Sequence, residues 1–214
     1  FNKMDIAFRV HTVVGISRIS WEDIHKPDKT ITSGDDGVAT GIAQCNGNLV
    51  TILDFEKIVA EIAPETSIQV EEIDRLGDRI ARDHSIILAE DSILLTKMIS
   101  DSLFRAGYTN LTTFNNGREA WEFLESIRSE PDFYTRAALL ITDIEMPEMD
   151  GHRLTKLVKE DDSMKKMPVV IFSSLINEEM RVKGKQLGAD EQLSKPEIGR
   201  LVEVMDALLD RRDR

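Results

Sequence analysis

The chain has one cysteine, Cys45, in 214 residues. A lone thiol closes no internal disulfide and leaves no Cys cluster for a structural zinc, which suits a reducing, cytoplasmic setting. No apolar run approaches the roughly 20 residues that cross a bilayer, so an integral helical membrane protein is excluded and no membrane insertion is expected. Positive charge is also short. With 27 Lys and Arg against 39 Asp and Glu, the net charge is −12, and no basic field exists to draw nucleic acid or an anionic membrane surface. The start lacks a charged segment leading into an apolar stretch, so no signal peptide is expected, and beginning at Phe1 suggests a fragment. What is present, 41% hydrophobic and 31% charged residues, suits a core-forming chain of one large or two small domains.

The first stretch, 1–64, reads as β-rich. Val10 to Ile19 is apolar and β-branched, and Ser33 to Gly37 forms a turn cluster. Val38 to Gln44 and Leu49 to Asp54 flank Asn46-Gly47-Asn48, a hairpin signal because Asn-Gly tolerates positive φ. After Pro64, Ile68, Val70, Ile73, Leu76 and Ile80 fall at mostly helical spacing, which predicts a helical connector over 65–84. From Ser85 to the end, short apolar runs alternate with amphipathic ones. Strands are predicted at 86–89, 111–114, 138–142, 169–172 and near 192–193, each followed by a helix. Five βα units in succession imply an α/β fold, a doubly wound parallel sheet with helices on both faces.

Ligands of such sheets bind beyond the carboxyl ends of the strands. There the sequence places Glu90-Asp91 after the first strand, Asp143 after the third, Ser173-Ser174 after the fourth and Lys195-Pro196 after the fifth. A lone Asp at such a place is more often a helix cap, and a lone Lys-Pro a surface turn. Four matching strand ends favour a site. Crowded carboxylates repel unless a cation intervenes, and Mg²⁺ suits a few carboxylates with waters and phosphate oxygens. With Lys195 and Ser173 to hold phosphoryl oxygens, the set suits formation of an aspartyl-phosphate. His11 and His25 have no metal-ligand spacing around them and read as surface or packing residues.

These residues carry a resemblance. Glu90-Asp91, the D-x-x-M-P-x-M-D-G run from Asp143 to Gly151, Ser173 after Val169 to Phe172, and Lys195-Pro196 together resemble the response-regulator receiver domain over 85–214. The resemblance implies Asp143 as phosphoacceptor. It also implies Mg²⁺ held by Glu90, Asp91, Asp143 and the backbone carbonyl of Glu145, with the phosphoryl group bound by Ser173 and Lys195. Two positions depart from the pattern. Gln192 stands three before Lys195, where the family usually has an aromatic nearby, so no ring-based switch is expected. Glu145 puts a charge where many receivers have a small polar residue.

In the first stretch, Gly41 to Gln44 and Asn48 to Asp54, running into a short helix over 55–60, resemble the second half of a CheW-like adaptor domain, shorter here than that family's usual length. An adaptor over 1–64, a helical linker over 65–84 and a receiver over 85–214 resemble the CheV-type chemotaxis coupling proteins. By that resemblance the partners are chemoreceptors and a histidine kinase as phosphodonor, with no turnover chemistry beyond slow autodephosphorylation. Two other classes compete. A transcriptional regulator would need a DNA-binding domain, and little follows Leu209. A haloacid-type phosphatase would carry a second catalytic Asp where Glu145 stands.

Overall fold

A computed structural model of the chain describes residues 6–20, 23–25, 38–62, 71–77, 81–174 and 176–212. The expected turn at Ser33 to Gly37 lies outside these residues.

In the first stretch, β1 (Ile24–His25), β2 (Ala39–Cys45) and β3 (Asn48–Leu53) form an antiparallel sheet in that order, followed by α1 (Phe55–Ile62). The hairpin is where the sequence placed it. Cys45 pairs with Asn48 across a two-residue loop whose Asn46 and Gly47 have φ of 50° and 80°, the left-handed pair that matches strand twist. The expected strand from Val10 to Ile19 does not form: residues 12–20 have no regular structure, and Val14 and Ile16 are 100% and 98% exposed. β-branched residues favour a pleated, half-buried surface over a backbone shape, and no described strand pairs with this segment.

The connector also differs from one continuous helix. The described part is a single turn, α2 (Glu71–Asp74), running to Gly77 at φ 75°. Arg82 then forms a parallel bridge to Tyr108 and ion pairs with Asp206 and Asp210. Ile73, 3% exposed, belongs to a core of the following domain. The connector is thus docked on the domain that follows it.

That domain contains β4 (Ile86–Ala89), α3 (Ile93–Arg105), β5 (Leu111–Phe114), α4 (Gly117–Ile127), α5 (Phe133–Arg136), β6 (Leu139–Thr142), α6 (Gly151–Glu160), β7 (Val169–Ser173), α7 (Glu178–Gln186), β8 (Glu191–Ser194) and α8 (Ile198–Arg212). The strands are all parallel in the order β5-β4-β6-β7-β8. Every residue of β4, β6 and β7 is buried, which explains why these strands read as unbroken apolar runs. Alternation then divides them between two cores. Ile86, Leu88, Leu139 and Ile141 face the side of α3 and α8, while Ile87, Ala89 and Leu140 face that of α4 and α6. The turn α5 had no periodicity to announce it; Phe133 anchors it in the second core.

Leu140 is 0% exposed at the centre of β6. Leu140→Ala should cost about 2–5 kcal/mol, seen as a lower urea midpoint with an unchanged slope.

Candidate functional site

The strand order reverses at β4, with β5 on one side and β6 on the other, and this opens a crevice at the carboxyl ends. Glu90 and Asp91 follow β4, and Asp143 follows β6. The two loops are tied together, because the Asp143 amide donates to the Ala89 carbonyl at 2.9 Å. Lys195 follows β8, and its amide donates to the Ser173 carbonyl at 3.4 Å. Ser173, 1% exposed, ends β7 opposite Ser194.

The Lys195 ammonium lies 2.9 Å from Glu90 Oε2 and 3.0 Å from Asp143 Oδ2. All three residues are 4% exposed or less. Asp143 Oδ1 accepts from the Ile144 amide at 2.6 Å, and Glu90 Oε1 from the Ser92 amide at 3.1 Å. Asp91 is half-buried, and one carboxylate oxygen from each of Glu90, Asp91 and Asp143 lies within 4.8 Å of the others. Three carboxylates crowded together in a region largely closed to water repel one another. Attraction to Lys195 offsets only part of that repulsion, and the all-oxygen donor set fits a hard divalent cation.

The helix-cap role is filled elsewhere. Ser92, Asn116, Asp150 and Asn177 accept from the amides of Leu95, Glu119, Arg153 and Met180 at the starts of α3, α4, α6 and α7. Asp143 caps none of these helices. Its loop instead closes tightly on α6: the Gly151 amide donates to the Ile144 carbonyl at 3.0 Å, and a Cβ at Gly151 would stand 1.8 Å from the Asp143 carbonyl oxygen. Glu148 in the same loop has φ 64°, a strained conformation for a non-glycine. The Glu145 side chain is exposed.

The family model described as the response regulator receiver domain matches residues 86–206. The chain belongs to that family. A CheW-like domain model matches residues 1–63 ahead of the receiver. Chemotaxis protein CheV2 of Helicobacter pylori is 27% identical over 98% of this chain and 65% of its own length. CheV3 of the same organism is 24% identical over 99% of this chain and 68% of its own. The chain spans about two thirds of the length of these curated relatives. The domain pair and these whole-chain matches make it CheV-type. Among solved structures, the receiver domain of a signal transduction histidine kinase from Syntrophus aciditrophicus superposes with TM-score 0.53 at 30% identity, covering 61% of this chain and 93% of that one. No helix among the described residues is long and apolar enough to cross a membrane.

Gln192, standing where the family usually has an aromatic nearby, is packed in place. It is 7% exposed in the receiver, and its amide donates to the Arg181 carbonyl at 2.8 Å while Arg181 donates back to the Gln192 carbonyl at 3.2 Å. The close approach needs Gly184, where a Cβ would stand 2.3 Å from Gln192 Oε1. Gln192 therefore fastens β8 to α7. His152, which its sequence surroundings did not single out, is 3% exposed in α6. Burial first, and nearby Lys183 second, push its imidazole below its ordinary value of 6.5, against Asp150 and a hydrogen bond to the Met180 backbone.

Two outcomes follow for the isolated chain without added divalent cation. Lys195→Met should destabilise it by about 3–5 kcal/mol, since Glu90 and Asp143 stay buried without their shared ammonium; denaturant titration reads this. His152 binds a proton more readily unfolded than folded, so its contribution is complete above about pH 6.5 and falls as pH drops. His152→Leu should flatten the acid side of the stability–pH curve below about pH 6.5.

Proposed function

We propose that this chain is a phosphorylation-regulated coupling module of chemotaxis, joining chemoreceptors to a histidine kinase, with Asp143 as phosphoacceptor. The observation that carries the reading is the buried Lys195 ammonium shared between Glu90 and Asp143 beside a third carboxylate. Glu90, Asp91, Asp143 and the backbone carbonyl of Glu145 would hold Mg²⁺. When bound, that ion offsets the charge of the carboxylates and of the incoming phosphoryl oxygens.

In this reading an Asp143 carboxylate oxygen bonds to phosphorus as the P–N bond of a phosphohistidine breaks, and the imidazole leaves. Lys195 exchanges its carboxylate partners for a phosphoryl oxygen, and the Ser173 hydroxyl donates to another. The group later passes to water, so the receiver modifies itself and turns over slowly; the chain is not an enzyme acting on a separate substrate. The phosphoryl group brings about −1.5 to −2 charge to this rim in place of the −1 of the free Asp143 carboxylate.

The adaptor role is supported by the apolar surface of the first stretch. Leu49, Val50, Leu53 and Phe55 are 80%, 40%, 42% and 45% exposed, and β3 pairs only with β2 among the described strands. Exposed apolar residues beside an open strand edge suit a protein partner. The chain's place is the cytoplasm, where kinase and receptor tails meet it.

Intact mass after incubation with acetyl phosphate and Mg²⁺ tests the reading. One phosphoryl mass is expected, lost in Asp143→Asn and on removal of Mg²⁺ by chelation; steady release of phosphate from small phosphate esters would instead favour a phosphatase. Asp91→Ala should lower the phosphorylated fraction at least tenfold more than Glu90→Gln, because Asp91 is the most accessible of the three carboxylates and the expected direct ligand. Lys195→Arg should not restore phosphorylation, since a planar fork does not fit a site built around a compact ammonium.

A further inference from the structure

Helix α8 begins three residues after Lys195, and its first turn contains no acidic residue. The opening amides of any helix lack intrahelical acceptors, and negative charge stabilises them. Here the carboxylate comes from outside the domain: Glu72 Oε2 in the connector accepts from the Gly199 amide at 3.0 Å. The contact is close by construction, because a Cβ at Gly199 would stand 3.2 Å from Glu72 Cβ. Beside it Ile73 is buried in the cluster that holds Ile198, Leu201 and Val202, with Leu76 packed against it.

The segment between Lys195 and Gly199 is a tight turn. Glu197 donates its amide to the Ser194 carbonyl at 2.8 Å, Ile198 donates to Pro196 at 3.0 Å, and the Glu197 carboxylate accepts from the Ser194 amide at 3.1 Å. One end is held by carboxylates on the Lys195 ammonium and the other by a carboxylate on the Gly199 amide. A turn with so few free torsions transmits a shift at one end to the other.

We propose that Glu72 is a positioning residue for Lys195. Holding Gly199, it fixes the start of α8 and favours the arrangement in which Lys195 pairs with Glu90 and Asp143, so that docking of the connector and phosphorylation of Asp143 oppose each other. This rests on the reading of Asp143 as phosphoacceptor. By linkage the opposition is mutual: phosphorylation, which draws Lys195 toward phosphoryl oxygens, loosens Glu72 from Gly199, and the signal leaves the receiver through the connector.

The test uses the full chain, loaded with acetyl phosphate and Mg²⁺, with intact mass giving the phosphorylated fraction and its decay after the donor is removed. Glu72→Ala should raise the steady fraction relative to unphosphorylated chain, or lengthen its life, by about fivefold, the low end of ordinary coupling between sites. Ile73→Ala should act in the same direction, because it loosens the same segment without touching the hydrogen bond. Glu72→Gln keeps an oxygen acceptor and should lie closer to wild type than Glu72→Ala does. In wild type, exchange of the Gly199 amide should quicken on phosphorylation. Unchanged loading and decay in Glu72→Ala, Glu72→Gln no nearer to wild type than Glu72→Ala, or Gly199 exchange indifferent to phosphorylation would each overturn the proposal while leaving the phosphoacceptor reading intact. A wild-type chain that takes up no phosphoryl group would overturn both.

Discussion

The Lys195 ammonium sits between Glu90 and Asp143, at 2.9 and 3.0 Å, in a place with almost no solvent. These three residues come from the ends of three different strands, β4, β6 and β8, so the ion contacts fix the relative height of three loops that share no local sequence. Asp91 adds a third carboxylate oxygen to the same cluster. Carboxylates brought this close suit a site that takes a hard cation, or an anion that recruits one.

The rest of the receiver holds that rim rigidly. Strands β4, β6 and β7 are buried on both faces, and two cores grip the sheet from opposite sides. The loop after Asp143 has no slack either: Gly151 is pressed against the Asp143 carbonyl so closely that only a hydrogen fits in place of a methyl. Rigidity of this kind means that a change of charge at Asp143 is relieved by moving the elements around the sheet and not the sheet itself. Two such elements border the site, α7, fastened by Gln192, and the start of α8, held by Glu72.

Much of this was legible in the chain. Glu90-Asp91, Asp143 and Ser173 follow short, mainly apolar runs and Lys195 follows the weaker strand signal at Gln192-Leu193, so the alternation of strand and helix periods placed them on one rim, and the Asn46-Gly47 turn marked the hairpin. What escaped depends on partners far away in sequence. Val10 to Ile19 has the composition of a strand, yet strand propensity is realised only beside another strand. Gln192 is only a polar residue in a weak strand signal until Gly184 and Arg181, on a neighbouring helix, make room and hydrogen bonds for it. Glu72 is one acid among many in the connector; its acceptor role appears only when Gly199, 127 positions later, is brought beside it.

The central claim, that three clustered carboxylates beside the Lys195 ammonium form a site for a divalent cation, is tested most directly by urea unfolding at rising Mg²⁺ concentration and constant ionic strength. A cation that binds the folded chain alone stabilises it logarithmically with concentration above its dissociation constant. The midpoint should therefore climb with Mg²⁺ in the native sequence and stay level in Asp91→Asn, which removes one carboxylate of the cluster. A midpoint indifferent to Mg²⁺ in the native sequence, or an equal climb in both proteins, would contradict the account.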